Sequence, residues 1–310
     1  MHRTLRRTLR LTRLGLHLAL GIALVRLAYP LLRSRQRAAV RARWCRQLLA
    51  TLGVRLQVAG TAPSHPVLVA ANHVSWLDIF AIGAALPCTF VSKHEARSWP
   101  VFGWLAAHNE TLFLRRDSAR AAHALNRHVA ARLAGRESVA IFPEGTTSDG
   151  SQVLPFNAAL FQSAVDAACR VLPVAAQYYD HRARCTTAAA YVGDDPLWKS
   201  LRAVLDAPSI HVHLFLGDCL QGAGVSRREL AARARETVVR LHSPASVYER
   251  VLTGCAGVVR WGGKRAVKRL PAPSSLSISS AAWWRASACF TIARPSPVPP
   301  VSRERLRSTR

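Results

Sequence analysis

The sequence predicts an α/β fold: a mixed, largely parallel sheet covered by helices, with an N-terminal membrane-anchoring helical segment. Three observations predict it. Short apolar runs alternate with stretches at helical spacing from residue 54 to about residue 248. A nineteen-residue apolar run, 14–32, lies between clusters of arginine. Most of the formal charge of +26 lies in the two ends of the 310-residue chain.

Residues 1–48 hold twelve Arg and no acid, and residues 251–310 hold eleven Lys or Arg against Glu304 alone. That leaves the centre, 49–250, with an ordinary balance of about +4. The chain therefore divides into a basic anchor (1–48), a catalytic domain (49–250) and a Ser- and Pro-containing tail (251–310) without helical or strand period, expected to be disordered. A nucleic-acid enzyme more often carries its basic stripe on the folded domain, so nucleic acid is set aside. Basic flanks around an apolar segment fit an anionic membrane surface.

Run 14–32 is broken by His17 and Arg26. Arg26 is costly at mid-bilayer, so an anchor lying partly in the interface competes with a clean span. A secretory signal fits less well, because Tyr29-Pro30-Leu31-Leu32-Arg33 is bulky where small residues would be cleaved. Arginines on both sides leave the orientation open by charge counting. The seven Cys show no C-x-x-C spacing and an odd count, which argues against a disulfide framework or zinc knuckle and for reduced thiols in a cytoplasmic compartment.

Within the centre, 67–71, 112–114, 139–142, 171–178 and 210–216 read as strands. Residues 118–133 read as a helix, with Ala122, Leu125, Val129 and Leu133 near helical spacing and Gly135 to end it. Leu160, Phe161, Ala164, Val165 and Ala168 mark another helix. Ser226-Arg227-Arg228-Glu229 is a capping box that opens a third.

Three segments could carry chemistry. Strand 67–71 runs into Asn72-His73-Val74-Ser75-Trp76-Leu77-Asp78, where a turn would bring His73 and Asp78 together. Histidine takes a proton near neutral pH, and a carboxylate on its other nitrogen fixes the tautomer and stabilises the imidazolium. The plain alternative is a surface loop with a helix-capping Asp. Strand 139–142 runs into Phe142-Pro143-Glu144-Gly145-Thr146-Thr147-Ser148. There Gly145 allows close backbone approach and the hydroxyls suit an anionic head group; the alternative is a hydrophilic turn. After strand 112–114 come Arg115 and Arg116, one of which could grip a phosphate with its guanidinium fork.

In this order and spacing the segments resemble the glycerolipid acyltransferase family, which contains the 1-acylglycerol-3-phosphate acyltransferases. Its first block, N-H-x-S-x-x-D, is complete as Asn72, His73, Ser75 and Asp78. Its second block ends in an Arg, matched best by Arg116. Its third, F-P-E-G-T-R-S, is matched by Phe142, Pro143, Glu144, Gly145, Thr146 and Ser148. Its fourth, an apolar strand with Pro, is matched by Val171-Leu172-Pro173-Val174. The resemblance spans roughly residues 50–220. It departs at Thr147 (Arg in the family block), Glu110 (often Gly) and Asn157 (often basic).

The resemblance implies acyl transfer without an acyl-enzyme. His73 would be the base, Asp78 would orient it, and Asn72, Ser75, Arg116, Glu144, Gly145, Thr146 and Ser148 would serve the substrate. The donor would be acyl-carrier protein or acyl-CoA, the acceptor 1-acyl-glycerol-3-phosphate and the product phosphatidic acid, with no cofactor and no metal. Thr147 and Asn157 remove two cations and bring lyso-ornithine lipid or another lysolipid into view as acceptor. A lipid hydrolase using the same His/Asp pair is the competing chemistry. The expected place is the inner membrane, with the site facing the cytoplasm. No G-x-S-x-G elbow and no nucleotide loop is present. His211 and His213 share a strand face without evident partner ligands.

Overall fold

A computed structural model describes residues 2–99, 101–114, 119–193 and 195–243. Arg115, Arg116 and the 251–310 tail lie outside the described residues.

The chain opens with helix α1 (His2–Ala23), a π-helical turn (Leu24–Ala28) and a 3-10 turn (Tyr29–Leu31). The widened turn contains Arg26, and Pro30 stops the helical run. Helix α2 (Ser34–Leu52) folds back along α1 and ends at Gly53, whose φ of 78° is the left-handed conformation that favours glycine. The two helices are clasped at His17 and Trp44. Their rings stack at 4.8 Å, and Trp44 Nε1 donates to the His17 carbonyl at 3.2 Å. The Arg-rich stretch 33–46 reads in the sequence as a charged flank. In the structure it is helical, and Cys45, Leu48, Leu49 and Leu52 bury its other face in the core.

Then follow β1 (Val54–Ala59), β2 (Val67–Ala71), α3 (Leu77–Ala85), β3 (Cys88–Lys93), α4 (Phe102–His108), β4 (Leu112–Leu114), α5 (Ala119–Ala134) and β5 (Ser138–Ile141). The chain continues with α6 (Gln162–Asp166), β6 (Arg170–Asp180), α7 (Leu197–Asp206), β7 (Ile210–Leu216) and α8 (Arg227–His242). The sheet order is β1-β7-β6-β2-β5-β3-β4. Only the β6–β7 pair is antiparallel, so the mixed, largely parallel sheet expected from the sequence is present.

Strand β2 sits between β5 and β6 and is buried on both faces, as a strand in a helix-covered parallel sheet must be. Val67, Val69 and Ala71 face the α2, α3 and α7 layer, while Leu68 and Ala70 face α5, α6 and α8. Ser226 caps α8 as its box predicts, accepting the Glu229 amide at 3.2 Å. One element is shorter than its spacing implies. A 3-10 turn (Ala158–Phe161) leads into α6, which stops at Asp166, and Ala168 takes a φ of 47°. The chain has to turn there because Arg170 already pairs with Val67.

The basic half of α1 docks on the C-terminal end of α7. Arg10 donates to the carbonyls of Leu205 (3.0 Å), Ala207 (2.7 Å) and Pro208 (3.0 Å), and Arg3 reaches Asp206 at 2.8 Å. Cations suit the last carbonyls of a helix, which have no partner within it.

Candidate active site

The site forms where β2 and β5 end. Ladder pairing of β2 with β6 stops at Ala71 and Val174. Asn72 prolongs it with its side chain: the amide accepts from Ala176 N at 2.7 Å and donates to Ala176 O at 3.1 Å. This buried pair fixes where the next residue, His73, leaves the sheet.

Asp78 lies in the first turn of α3 and is fully buried. Its Oδ2 accepts from the amides of Val74 (2.8 Å) and Ser75 (2.9 Å) and lies 2.9 Å from His73 Nδ1. Its Oδ1 accepts the Tyr178 hydroxyl at 2.5 Å. Three donors besides the histidine, at a helix N-terminus, hold the carboxylate where no water reaches. With Nδ1 turned to Asp78, Nε2 is the nitrogen left for a substrate hydroxyl. Phe142 stacks on the His73 ring at 3.9 Å with 13° between planes, which fixes its orientation. The His73 backbone is held from the other side, where its carbonyl accepts the Ser148 amide at 2.9 Å.

Glu144 projects from the loop after β5. Its Oε1 accepts the Leu154 amide at 3.3 Å, while Oε2 is buried and makes no close hydrogen bond among the described residues. Burial raises its carboxyl to about 7; the Leu154 and His73 amides oppose the shift and the Asp78 charge adds to it. Arg235 of α8 also opposes it and fixes the facing segment, donating to the carbonyls of Leu154 (3.0 Å) and Val153 (2.9 Å). Gly145 has a φ of 74°, which a side chain would strain, and its amide closes a turn onto the Phe142 carbonyl at 3.0 Å.

A cavity of about 1150 Å³ opens in front of these groups. His73, Glu144, Gly145, Thr146, Thr147 and Asn157 line its polar part. Its walls are apolar and aromatic, including Trp44, Trp76, Phe80, Phe90 and Phe102. The N-terminal segment contributes Leu24, Val25 and Tyr29. The volume exceeds the roughly 300–1,000 Å³ of common small-molecule pockets. Cys45 and Cys88 also line it; burial pushes both thiols up to about 12, so they form wall and are not poised as nucleophiles.

The sequence-predicted residues thus separate into two sets. His73, Glu144, Gly145 and Thr146 face the cavity. Asn72, Ser75 and Ser148 hold the loops instead. Asn72 is bound to β6, buried Ser75 accepts the Leu77 amide at 3.2 Å, and Ser148 accepts the Gly150 amide at 3.2 Å. Tyr178 and Arg235 escape the sequence reading, because each acts on a segment about eighty to a hundred residues away and no local spacing announces it. His211 and His213 lie in β7 as an ordinary strand pair. The ring of His213 packs on Tyr179 at 4.7 Å, and His211 Nε2 lies 3.3 Å from the Ser209 hydroxyl. Among the described residues no cluster of three His, Cys, Asp or Glu is placed to hold a metal.

Residues 54–177 match the acyltransferase family model, a span that runs from β1 through the first and third blocks into β6. The lyso-ornithine lipid O-acyltransferase of Pseudomonas aeruginosa is 40% identical over 196 residues, covering 63% of this chain and 75% of the relative. The chain belongs to the acyltransferase family. A 1-acyl-sn-glycerol-3-phosphate acyltransferase of Neisseria meningitidis serogroup B is 49% identical over 148 residues, 47% of this chain. That alignment spans 58% of the relative's length. The crystal structure of the 1-acyl-sn-glycerophosphate acyltransferase of Thermotoga maritima shares the fold. It superposes with a TM-score of 0.54 at 22% identity, covering 83% of this chain and all of that one. Within this acyltransferase fold, the first block supplies the His73–Asp78 contact and the third supplies the turn beside it.

Proposed function

We propose that the chain transfers a fatty acyl group from a thioester, carried by acyl-carrier protein or coenzyme A, to the free hydroxyl of a lysolipid. The observation that carries the reading is His73, oriented by a buried, fully hydrogen-bonded Asp78, at the edge of a large apolar cavity. His73 Nε2 takes the hydroxyl proton as the oxygen attacks the thioester carbonyl. The C–O bond forms, the C–S bond breaks, and the imidazolium returns the proton to the departing thiolate. Asp78 stabilises that imidazolium, and Tyr178 keeps Asp78 in place. Glu144, Gly145 and Thr146 position the acceptor, with Arg116 on its phosphate.

The primary acceptor proposed is 1-acyl-glycerol-3-phosphate, giving phosphatidic acid. Lyso-ornithine lipid is the second reading, favoured by the longer alignment with the Pseudomonas relative and by neutral Thr147 in the cavity wall. Hydrolysis by the same pair is distinguished by its independence of acceptor. The membrane reading is supported by α1 and the turns after it, which are long and apolar enough to cross a bilayer by length and composition. Leu5, Leu9, Leu16, Leu20, Leu27 and Leu31 are exposed at alternating spacings of four and seven, one face of a helix, while the other face packs on the domain. This supports a segment lying in the surface of the inner membrane, with residues 49–250 as the transferase domain on the cytoplasmic side. Labelled acyl-thioester incubated with and without each lysolipid tests the reading: acyl-lipid forms only with acceptor present. Release of free fatty acid at the same rate without acceptor would assign the site to hydrolysis.

A further inference from the structure

The cavity in front of His73 reaches both faces of the sheet at its β3–β4 edge. Phe90 and Phe142 line it from the α2 and α3 side, while Val91, Leu114 and Leu160 line it from the side of α5, α6 and α8. Two asparagines stand in this second arm. Asn126 of α5 is buried, and its Nδ2 donates to the Ala159 carbonyl at 2.8 Å. A carbonyl only accepts, so this bond fixes which end of the side-chain amide is which. Asn126 Oδ1 is left without a partner among the described residues, in a side chain that lines the cavity. Asn157 caps the 3-10 turn. Its Oδ1 accepts the Ala159 amide at 3.0 Å, and its Nδ2 has no partner among the described residues. The two side chains thus hold the two backbone polar groups of one residue, Ala159. Each keeps its opposite half for the cavity: an acceptor on Asn126, a donor on Asn157. The pair adjoins the catalytic turn, because the Asn157 amide donates to the Pro143 carbonyl at 2.8 Å, next to the Phe142 ring that stacks on His73.

We propose that this arm binds a secondary amide of a substrate, whose N–H donates to Asn126 Oδ1 and whose carbonyl accepts from Asn157 Nδ2. The inference rests on the acyl-transfer reading above. A buried acceptor without a donor costs free energy that a ligand N–H would recover. Neither asparagine carries charge, so a phosphate gains no ion pair from them, whereas an amide is matched on both of its groups. Val91, Leu114 and Leu160 beside them suit the methylene chains on either side of such an amide. Two of the proposed substrates carry this group close to their reacting atoms. The pantetheine arm of the thioester donor has an amide near its sulfur. Lyso-ornithine lipid joins its hydroxyacyl chain to ornithine through an amide. 1-Acyl-glycerol-3-phosphate has no N–H.

Equilibrium binding tests the proposal without requiring turnover. The full chain in dodecyl maltoside is titrated by calorimetry with palmitoyl-CoA, lyso-ornithine lipid and 1-acyl-glycerol-3-phosphate. Asn157→Ser keeps an oxygen to cap the 3-10 turn and removes the Nδ2 donor without changing charge. It is expected to weaken an amide-bearing ligand about fivefold, the scale of one lost hydrogen bond, and to leave 1-acyl-glycerol-3-phosphate within about twofold. Asn126→Leu, which removes the acceptor, is expected to do the same, and Asn157→Ser carries the test should the α5 variant fail to fold. Weaker palmitoyl-CoA assigns the amide to the donor, and weaker lyso-ornithine lipid assigns it to the acceptor. Unchanged affinity for both, or no binding of either by the wild type, would overturn the proposal. So would an equal loss for all three ligands, which would make the asparagines supports of the cavity's shape. Amide-dependent binding by a wild type that transfers no acyl group would sink the acyl-transfer reading and leave the amide site standing.

Discussion

Tyr178 donates its hydroxyl to Oδ1 of Asp78 at 2.5 Å, from a strand one hundred residues further along the chain. Burial, and then the Asp78 charge, raise the Tyr178 hydroxyl well above its usual value, so it remains a donor throughout the working pH range. Tyr178→Phe keeps the ring and removes the donor. The expected cost in stability is about 1.5–3 kcal/mol, the range for a hydrogen bond to a charged group. The same change leaves Asp78 Oδ1 without its donor and the carboxylate freer to turn away from His73 Nδ1, so kcat is expected to fall with the acceptor KM little changed. Denaturant unfolding and steady-state kinetics check the two effects separately, and a lower stability with an unchanged kcat would make Tyr178 purely structural.

Glu144 gives the fold a pH dependence whose sign is fixed by its environment. Its folded carboxyl sits near 7 against an ordinary value of 4.5, with burial the main cause, so the folded state favours the proton. The stability it contributes is present in full below the unfolded value and is lost as pH rises from about 4.5 through 7. Glu144→Gln removes the titration. The difference in melting temperature between Glu144→Gln and wild type is expected to grow in the variant's favour across that interval. Parallel curves over the interval would place the buried Oε2 in contact with solvent or a cation.

The chemistry of this site was legible wherever it was local. Strand β2 appears at the predicted residues 67–71, and the seven residues after it hold both His73 and Asp78, so one turn suffices to join them. The loop after β5 was legible for the same reason. What the local sequence did not carry is the support. Arg235 and Tyr178 reach the site only through the placement of α8 and β6, and the aromatic wall is assembled from α2, α3, β3 and α4. Strand β1 carries Arg55 and Gln57 among its apolar residues, and it forms because Val54, Leu56 and Val58 pack on the core beneath α2 and α3. The arginines of α2 concealed an amphipathic helix because its apolar positions, Cys45, Leu48, Leu49 and Leu52, cluster in its last two turns.

Deleting residues 1–35 is expected to do more than release the protein from membranes. Among the described residues the apolar stretch is the segment long enough to anchor it strongly, so much of the protein should move to the soluble fraction. Leu24, Val25 and Tyr29 also wall the cavity, so turnover of the released protein should fall even with substrate supplied in micelles. Fractionation and a micellar assay on the same preparation check both, and full activity in the soluble fraction would separate the anchor from the site.

Thr147 faces the cavity as a neutral hydroxyl where the third block usually places Arg. Thr147→Arg would bring a fixed cation toward an acceptor phosphate monoester, which carries close to two negative charges, and so restore charge-assisted pairing. The ratio of products from 1-acyl-glycerol-3-phosphate and lyso-ornithine lipid, competed in one micelle preparation, is expected to rise in favour of the phosphate. An unchanged or reversed ratio would mean that Thr147 does not read head-group charge.

The central claim is that His73, held by Asp78, activates the acceptor hydroxyl. The most direct measurement is single-turnover transfer from a labelled acyl-thioester to lysolipid by purified His73→Ala beside wild type, with circular dichroism confirming that both are folded. General-base help contributes about 10²–10⁴ in rate, so a loss of that size is expected at saturating acceptor. Transfer by folded His73→Ala at the wild-type rate would contradict the account.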